Sequence, residues 1–255
     1  GRFGGDKFWA RSAWVGLSGD FGSAKIGRTT NQFFLSTLLF NSFADSFGFS
    51  PAIRQILIPS TLHGGASLPG FFGDTGWSNS ITYSSPKLGP VSFNLQATSK
   101  ESDNGIGGNV GGNVLFFSGP FSATIAAQKV KGQGAAPTLV SQESLLVGAA
   151  YDLKVVKLFA QYATHDTDLV AGVDSDTKIY QIGASAPIGP GSLLVQYGNS
   201  KAEYTGGAEL TNKTLALGYV YGLSKRTNVY GAYLNDKLTG VNTGNTFALG
   251  IRHSF

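Results

Sequence analysis

The chain contains no cysteine and no methionine, and only 13% of its 255 residues are charged. Without cysteine there is neither a disulfide framework nor thiolate ligation of a metal. No run of lysine or arginine accompanies the small formal charge of +4, so the electrostatic footprint of a nucleic-acid-binding protein is missing and no such partner is expected. A long apolar run is lacking as well. The most apolar stretch, Phe33 to Phe40 (FFLSTLLF), is far shorter than the ~20 residues that a spanning helix requires. The chain opens at Gly1 without the charged and apolar regions of a signal peptide, and any such leader is expected to lie outside this sequence.

Catalytic signatures are equally scarce. There is no nucleophile elbow, phosphate loop, dinucleotide fingerprint or metal-spaced histidine pair. The three histidines, His63, His165 and His253, are dispersed. The neighbours His165 and Asp166 carry no weight alone, because the members of a hydrolytic triad meet in space rather than in sequence. The expectation is a protein that is not an enzyme and needs no cofactor or metal.

What is abundant is glycine, with 36 residues, and aromatic side chains, with 18 Phe and 10 Tyr. These fall into segments of roughly ten residues with period-2 alternation. Phe247, Leu249, Ile251, His253 and Phe255 alternate with Ala248, Gly250, Arg252 and Ser254. Leu215, Leu217, Tyr219, Tyr221 and Leu223 alternate with small residues, and Val156, Leu158, Ala160 and Tyr162 alternate with Lys157, Phe159 and Gln161. One face is apolar in each segment, although alternation does not say which face points inward. A chain so poor in charge has little means of solvating a globular surface. In hydrocarbon, only helices and closed barrels satisfy every backbone group, and the helix has been excluded.

Strands are expected at 8–18, 23–29, 78–85, 91–100, 109–118, 121–131, 143–151, 155–165, 178–186, 192–203, 212–222, 226–236 and 245–255. Their connections alternate between short turns, such as Gly119-Pro120 and Asp152-Leu153-Lys154, and long polar loops, such as Glu101 to Asn109 and Asp166 to Thr177. Sorting short turns to one end and long loops to the other is the pattern of an outer-membrane barrel. Thirteen is an odd count, whereas bacterial barrels have an even number of strands with both termini on the periplasmic side. The parity leads to the expectation of one, three or five further strands ahead of Gly1.

Several stretches carry a family resemblance: Arg11-Ser-Ala-Trp-Val-Gly-Leu-Ser18, Lys25-Ile-Gly-Arg28, Asn79-Ser-Ile-Thr-Tyr-Ser-Ser-Pro86, Gly183-Ala-Ser-Ala-Pro-Ile-Gly189, Leu217-Gly-Tyr-Val-Tyr-Gly-Leu-Ser-Lys-Arg226 and Gly250-Ile-Arg-His-Ser-Phe255. In these the chain resembles the general trimeric porins of Gram-negative bacteria, specifically their beta-proteobacterial branch. The resemblance implies an all-β, transmembrane, antiparallel up-and-down barrel of sixteen strands, of which this chain would hold the last thirteen. Residues 1–255 are then a single barrel domain. It further implies a bacterial outer-membrane location, a homotrimer, contacts with outer-membrane lipid and lipopolysaccharide, and recognition of the terminal strand by the barrel-assembly machinery through Phe255.

The resemblance also implies that the longest connection, residues 29–77, folds inward and narrows the pore. It carries many apolar residues, among them Phe33, Phe34, Phe40, Phe43, Phe47 and Phe49, but only three charges, Asp45, Arg54 and Asp74. Its aromatics are expected either to pack the segment against the wall or to line a partly apolar eyelet. Family members face this segment with basic residues. Here alternation places Arg11 with Ala13 and Val15, opposite a lipid-facing Trp14, and puts Lys25, Lys157 and Arg252 on polar faces. A family wall arginine falls on Gly76, so that charge is absent. Tyr83, Tyr162, Tyr180, Tyr197, Tyr219, Tyr221 and Tyr230 are expected in an interfacial girdle. The function implied is passive diffusion of ions and small hydrophilic solutes through a water-filled pore with weak anion preference. A substrate-selective porin and a barrel serving mainly adhesion or outer-membrane structure are the alternatives.

Overall fold

The computed structural model describes residues 11–57, 72, 74–99, 108–132, 139–169, 172 and 174–254. All thirteen expected strands form. They are β1 (Ala13–Gly19), β2 (Gly22–Thr30), β3 (Gly76–Ser84), β4 (Val91–Thr98), β5 (Val110–Ser118), β6 (Phe121–Lys131) and β7 (Leu139–Asp152). The rest are β8 (Lys157–Leu169), β9 (Ser175–Ile188), β10 (Gly191–Tyr204), β11 (Glu209–Gly222), β12 (Thr227–Leu238) and β13 (Gly244–His253). They build one antiparallel sheet in strict chain order, so every strand pairs with its sequence neighbours and β1 and β13 are its edges among the described residues.

Register settles which face is which. Val15 pairs with Ile26, and Ile26 with Ile81, and these side chains lie on the open outer surface. One residue along, Lys25 pairs with Thr82 and Thr82 with Gln96, and both Thr82 and Gln96 are buried. The same division continues around the sheet. Leu158, Ile182, Leu217, Phe247, Leu249 and Ile251 are exposed outward, while Gln128, Gln161, Gln181 and Thr214 are buried inward. The apolar face therefore points out and the polar face points in, the reverse of a soluble sandwich.

Strands β7 to β11 run further towards their long loops than the alternation indicated, because backbone pairing continues past the apolar residues. The added outward positions include the charged Asp166, Asp168, Asp176 and Glu209. Glu143 pairs with Asp166, Asp166 with Asp176 and Asp176 with Glu203 across four successive strands. Lys129–Glu143 and Lys201 with Glu203 and Glu209 form exposed ion pairs in this zone.

An aromatic row marks the border, where the Tyr162 and Tyr180 rings meet at 5.1 Å. From Tyr180 to Ile188, eight residue steps at ~3.4 Å give about 27 Å along the strand. Tilted by the ~40° common in such barrels, this is an apolar band ~20 Å tall. Tyr83, Tyr162, Tyr180, Tyr197, Tyr219 and Tyr221 face outward as expected. Tyr230 does not. It pairs with Val220 and Gly250 on the inward phase of the pleat, so it belongs to the interior and not to the girdle.

Between β2 and β3 the chain turns inward and forms two short helices, α1 (Gln32–Leu39) and α2 (Pro51–Ile56). Each start is capped by a local signal. The Asn31 side chain accepts from the Phe34 amide, and the Ser50 hydroxyl accepts from the Ile53 amide with Pro51 at the first helical position. Helix α1 rests against β5, β6 and β7, and α2 against β9, β10 and β11. The segment thus crosses the concave side of the sheet.

Candidate pore constriction

The aromatics of the inward segment meet small and aliphatic side chains of the wall. Phe33, Phe34, Ile53, Ile56 and Leu57 form one buried cluster with Ala126, Leu146, Ala163 and Ile179. Phe40 packs with Leu115 and Ala150, and Phe43 with Ala216 and Leu234. Of the two expectations for these rings, wall packing holds for Phe33, Phe34, Phe40 and Phe43. Phe47 and Leu39 are the exceptions, 43% and 41% exposed respectively, and present apolar surface to the open interior.

Polar fixation is the feature that sequence reading missed. From β4 to β10 each strand offers one buried inward amide: Gln96, Asn113, Gln128, Gln142, Gln161, Gln181 and Gln196. Each bonds to the stretch between Thr29 and Phe72. Gln96 donates to the Thr29 hydroxyl at 2.7 Å, and Asn113 donates to the Gln32 carbonyl and the Ser36 hydroxyl. Asn31 donates to Gln128 at 2.8 Å, and the Phe72 amide donates to Gln142 at 2.8 Å. Gln161 donates to the Thr37 carbonyl at 3.0 Å, Gln181 to Pro51 and Gln55, and Gln196 accepts from Ser42. An amide can donate and accept at once, so it satisfies a helix or turn backbone whatever group is presented. The signal available in sequence was one Gln or Asn at the same phase of successive strands.

His165 belongs to this set. It is buried, with Nδ1 2.9 Å from the Ser144 hydroxyl and Nε2 2.9 Å from the Ile56 carbonyl at the end of α2. Its neighbour Asp166 points to the other face of the sheet, so the pair that adjoins in sequence does not meet.

The three charges of the inward segment all find partners. Arg54 reaches Asp236 of β12 at 3.1 Å in a nearly solvent-free setting, and Thr214 donates to the other Asp236 oxygen at 2.9 Å. Asp74 pairs with Arg28 at 2.6 Å beside Ser78. Asp45 meets Arg252 of β13 through both carboxylate oxygens, at 3.2 and 3.3 Å, in an exposed position.

Lys25 and Lys157 face inward and have no ion-pair partner among the described residues. Lys25 holds its ammonium 4.3 Å from the centre of the Trp14 ring. Trp14 is therefore not lipid-facing. It pairs with Gly27 and shares the inward phase with Lys25, because Val15 and Ile26 occupy the outward one. Lys157 lies 5.3 Å from the Phe159 ring, and Asp152 stands opposite it in the β7–β8 register.

Ala13 and Val15 occupy the outward phase, so alternation does not aim Arg11 at the lumen as expected. Arg11 lies in a bend before β1, exposed, where strand parity does not set its direction. Its backbone carbonyl adjoins Gly76, at the root of the inward segment. The terminal Phe255 and the loop residue His63 lie outside the described residues.

Comparison with known proteins accords with this architecture. A family model described as Gram-negative porin matches residues 1–240. Outer membrane porin protein 32 of Delftia acidovorans is 32% identical over 278 residues, covering 96% of this chain and 74% of that protein. An outer membrane porin of Bordetella pertussis is 27% identical over 303 residues, covering 98% of this chain and 73% of the relative. Among solved structures, an anion-selective porin from Comamonas acidovorans superposes with a TM-score of 0.74 at 25% identity, covering 95% of this chain and 77% of that one. With its polar interior, outward apolar band and inward helical segment, the chain belongs to the Gram-negative porins, the channel proteins of the bacterial outer membrane.

Proposed function

We propose that this porin passes ions and small hydrophilic solutes by passive diffusion, with a weak preference for anions and without catalysing any reaction. The observation that carries the reading is the charge balance of the interior. The acids of the inward segment, Asp45 and Asp74, are each paired with an arginine, and Arg54 is paired with a wall acid. This leaves two inward bases without an ion pair among the described residues, Lys25 with no acid opposite it in register and Lys157 faced by Asp152. Fixed positive charge against a low-dielectric wall raises the local anion concentration. The segment between residues 29 and 77 acts as the constriction, since the amides and the buried rings hold it across the interior. Lys25 and Lys157 set its field, Asp45, Arg54, Asp74 and Arg252 enter it as neutralised pairs, and Arg11 stands exposed at the root of the segment. The relative in Comamonas acidovorans is described as anion-selective, which agrees with this reading.

The assembly follows the same reasoning. The outward apolar band meets lipid, and the lysines at the long-loop ends of the strands, Lys129 and Lys201, meet the phosphate-bearing head groups of lipopolysaccharide. The working unit is a homotrimer, and the terminal strand with Phe255 carries the barrel-assembly signal. Recording the reversal potential of the purified protein in a planar bilayer under asymmetric KCl tests the central point. A modest potential of the sign given by anion flow is expected. A cation-selective potential would overturn the preference, and the absence of any conductance would overturn the diffusion pore.

A further inference from the structure

Beyond general diffusion, the structure assigns a solute-binding site, and the assignment rests on the channel reading only in that solute must reach the interior. Between the tip of the inward segment and the wall formed by β10 to β13 lies a cavity of about 470 Å³. Its walls are mostly apolar, built by Phe49 of the tip and by Leu194, Val220 and Tyr230 of the barrel, with Ser46 and Asn228 among the polar groups. Its charged groups are Asp45 and Arg252. A mostly apolar pocket of some hundreds of Å³ with a few convergent polar groups has the composition of a small-molecule site.

Arg252 already displays how a carboxylate docks here. Both guanidinium amino groups approach the two oxygens of Asp45, a two-point match of planar fork to planar carboxylate. The contacts are loose. At 3.2 and 3.3 Å they exceed the ~2.7–2.9 Å of a well-formed charge-assisted bond. Both side chains are also more than half exposed, at 61% and 51%. Exposed pairs of this kind contribute little, so a second carboxylate displaces Asp45 at small cost. Asp45 is in effect an internal stand-in for a solute anion. In the same cavity, the Phe49 and Tyr230 rings offer flat apolar surface, which an aliphatic chain uses less well than a ring. We propose that this cavity binds small aromatic monocarboxylates, with Arg252 holding the carboxylate in place of Asp45 and the ring lying between Phe49 and Tyr230.

The test uses benzoate, with acetate and benzyl alcohol as probes lacking the ring or the charge. Equilibrium binding to the detergent-solubilised protein is measured by calorimetry, and ion current in a planar bilayer is recorded with benzoate added. Benzoate is expected to bind and to reduce the current, whereas acetate and benzyl alcohol do neither at equal concentration. Asp45→Asn removes the competitor and should tighten benzoate binding, by about fivefold at most, the scale of an exposed ion pair. Arg252→Gln should abolish binding. Opposite responses of the two variants cannot come from general misfolding. Unchanged benzoate affinity in both, or acetate binding as well as benzoate, overturns the site. Binding with the expected variant pattern but no conductance would leave the site standing and overturn the channel reading instead.

Discussion

The guanidinium of Arg54 and the carboxylate of Asp236 stand 3.1 Å apart with almost no solvent access, tying α2 of the inward segment to β12 of the wall. The Thr214 hydroxyl completes the Asp236 side by donating to its second oxygen. Removing one member strands the other as a buried charge, which costs about 3–5 kcal/mol. Arg54→Ala is therefore expected to lower the thermal unfolding temperature and to make the open-channel current noisier, as the segment comes loose. The double change Arg54→Met with Asp236→Leu should recover most of the stability. Thermal unfolding and single-channel noise of the three variants check both outcomes.

Lys25 should carry more of the ion preference than Lys157. Both face inward, but Asp152 opposes Lys157 across the β7–β8 pair, whereas Lys25 has Gly16 and Thr82 as its register partners. Lys25→Glu is expected to move the reversal potential under asymmetric KCl towards cation preference, and Lys157→Glu to move it less. Equal shifts, or none, would speak against a wall field set by these bases.

The buried and exposed rings of the inward segment should separate in their effects. Phe33 is 1% exposed and packs in the largest buried cluster, so Phe33→Ala is expected to cost about 3–5 kcal/mol. Phe47→Ser, at a 43% exposed position, should leave thermal stability nearly unchanged. Any change that Phe47→Ser brings to conductance then reports apolar lining alone, and an unchanged conductance would remove that residue from the eyelet.

Gly27 should tolerate no side chain. Its φ is +131°, and an added Cβ would sit 2.3 Å from the Ala13 carbonyl oxygen, where β2 is irregularly paired with β3. Gly27→Ala is expected to destabilise by about 1–3 kcal/mol from the backbone conformation alone, and by more from the clash. Refolding yield into detergent and the unfolding midpoint measure it.

The height of the apolar band can be mapped by arginine. Ala184 lies on the outward face of β9 midway between Tyr180 and Ile188, so Ala184→Arg should cost about 2–4 kcal/mol of folding into a bilayer. Thr164→Arg, in the row that pairs with Lys178, should cost only about 0–1 kcal/mol. A reversed order in reversible urea unfolding would place the membrane elsewhere on the strands.

Much of the fold was legible in the alternation. Thirteen strands were expected and thirteen form, since a period-2 pattern between short turns and polar loops leaves little choice of element. Their upper ends were misjudged where β8, β9 and β11 continue through charged residues such as Asp166, Asp176 and Glu209, because pairing there no longer depends on apolar side chains. Trp14 was assigned to the wrong face because an aromatic suits both lipid and the underside of a lysine. Over a short edge strand, only the register of Val15 against Ile26 decides between them. Tyr230 was misplaced for a similar reason.

The site was less legible, and the reason is distance along the chain. Arg54 and Asp236, Asp45 and Arg252, and the inward amides and their backbone partners are brought together only when the sheet curls around the inward segment. By itself, the sequence determined the element type, the turn and loop order, and the exclusion of spanning helices, because these depend on neighbours within a dozen residues. The tertiary structure decided which face points inward and which charges neutralise one another, because both depend on register across strands far apart in sequence. It also decided between wall packing and an apolar eyelet for a segment rich in phenylalanine, turning most of its rings to the wall and leaving the open interior largely to polar and charged groups.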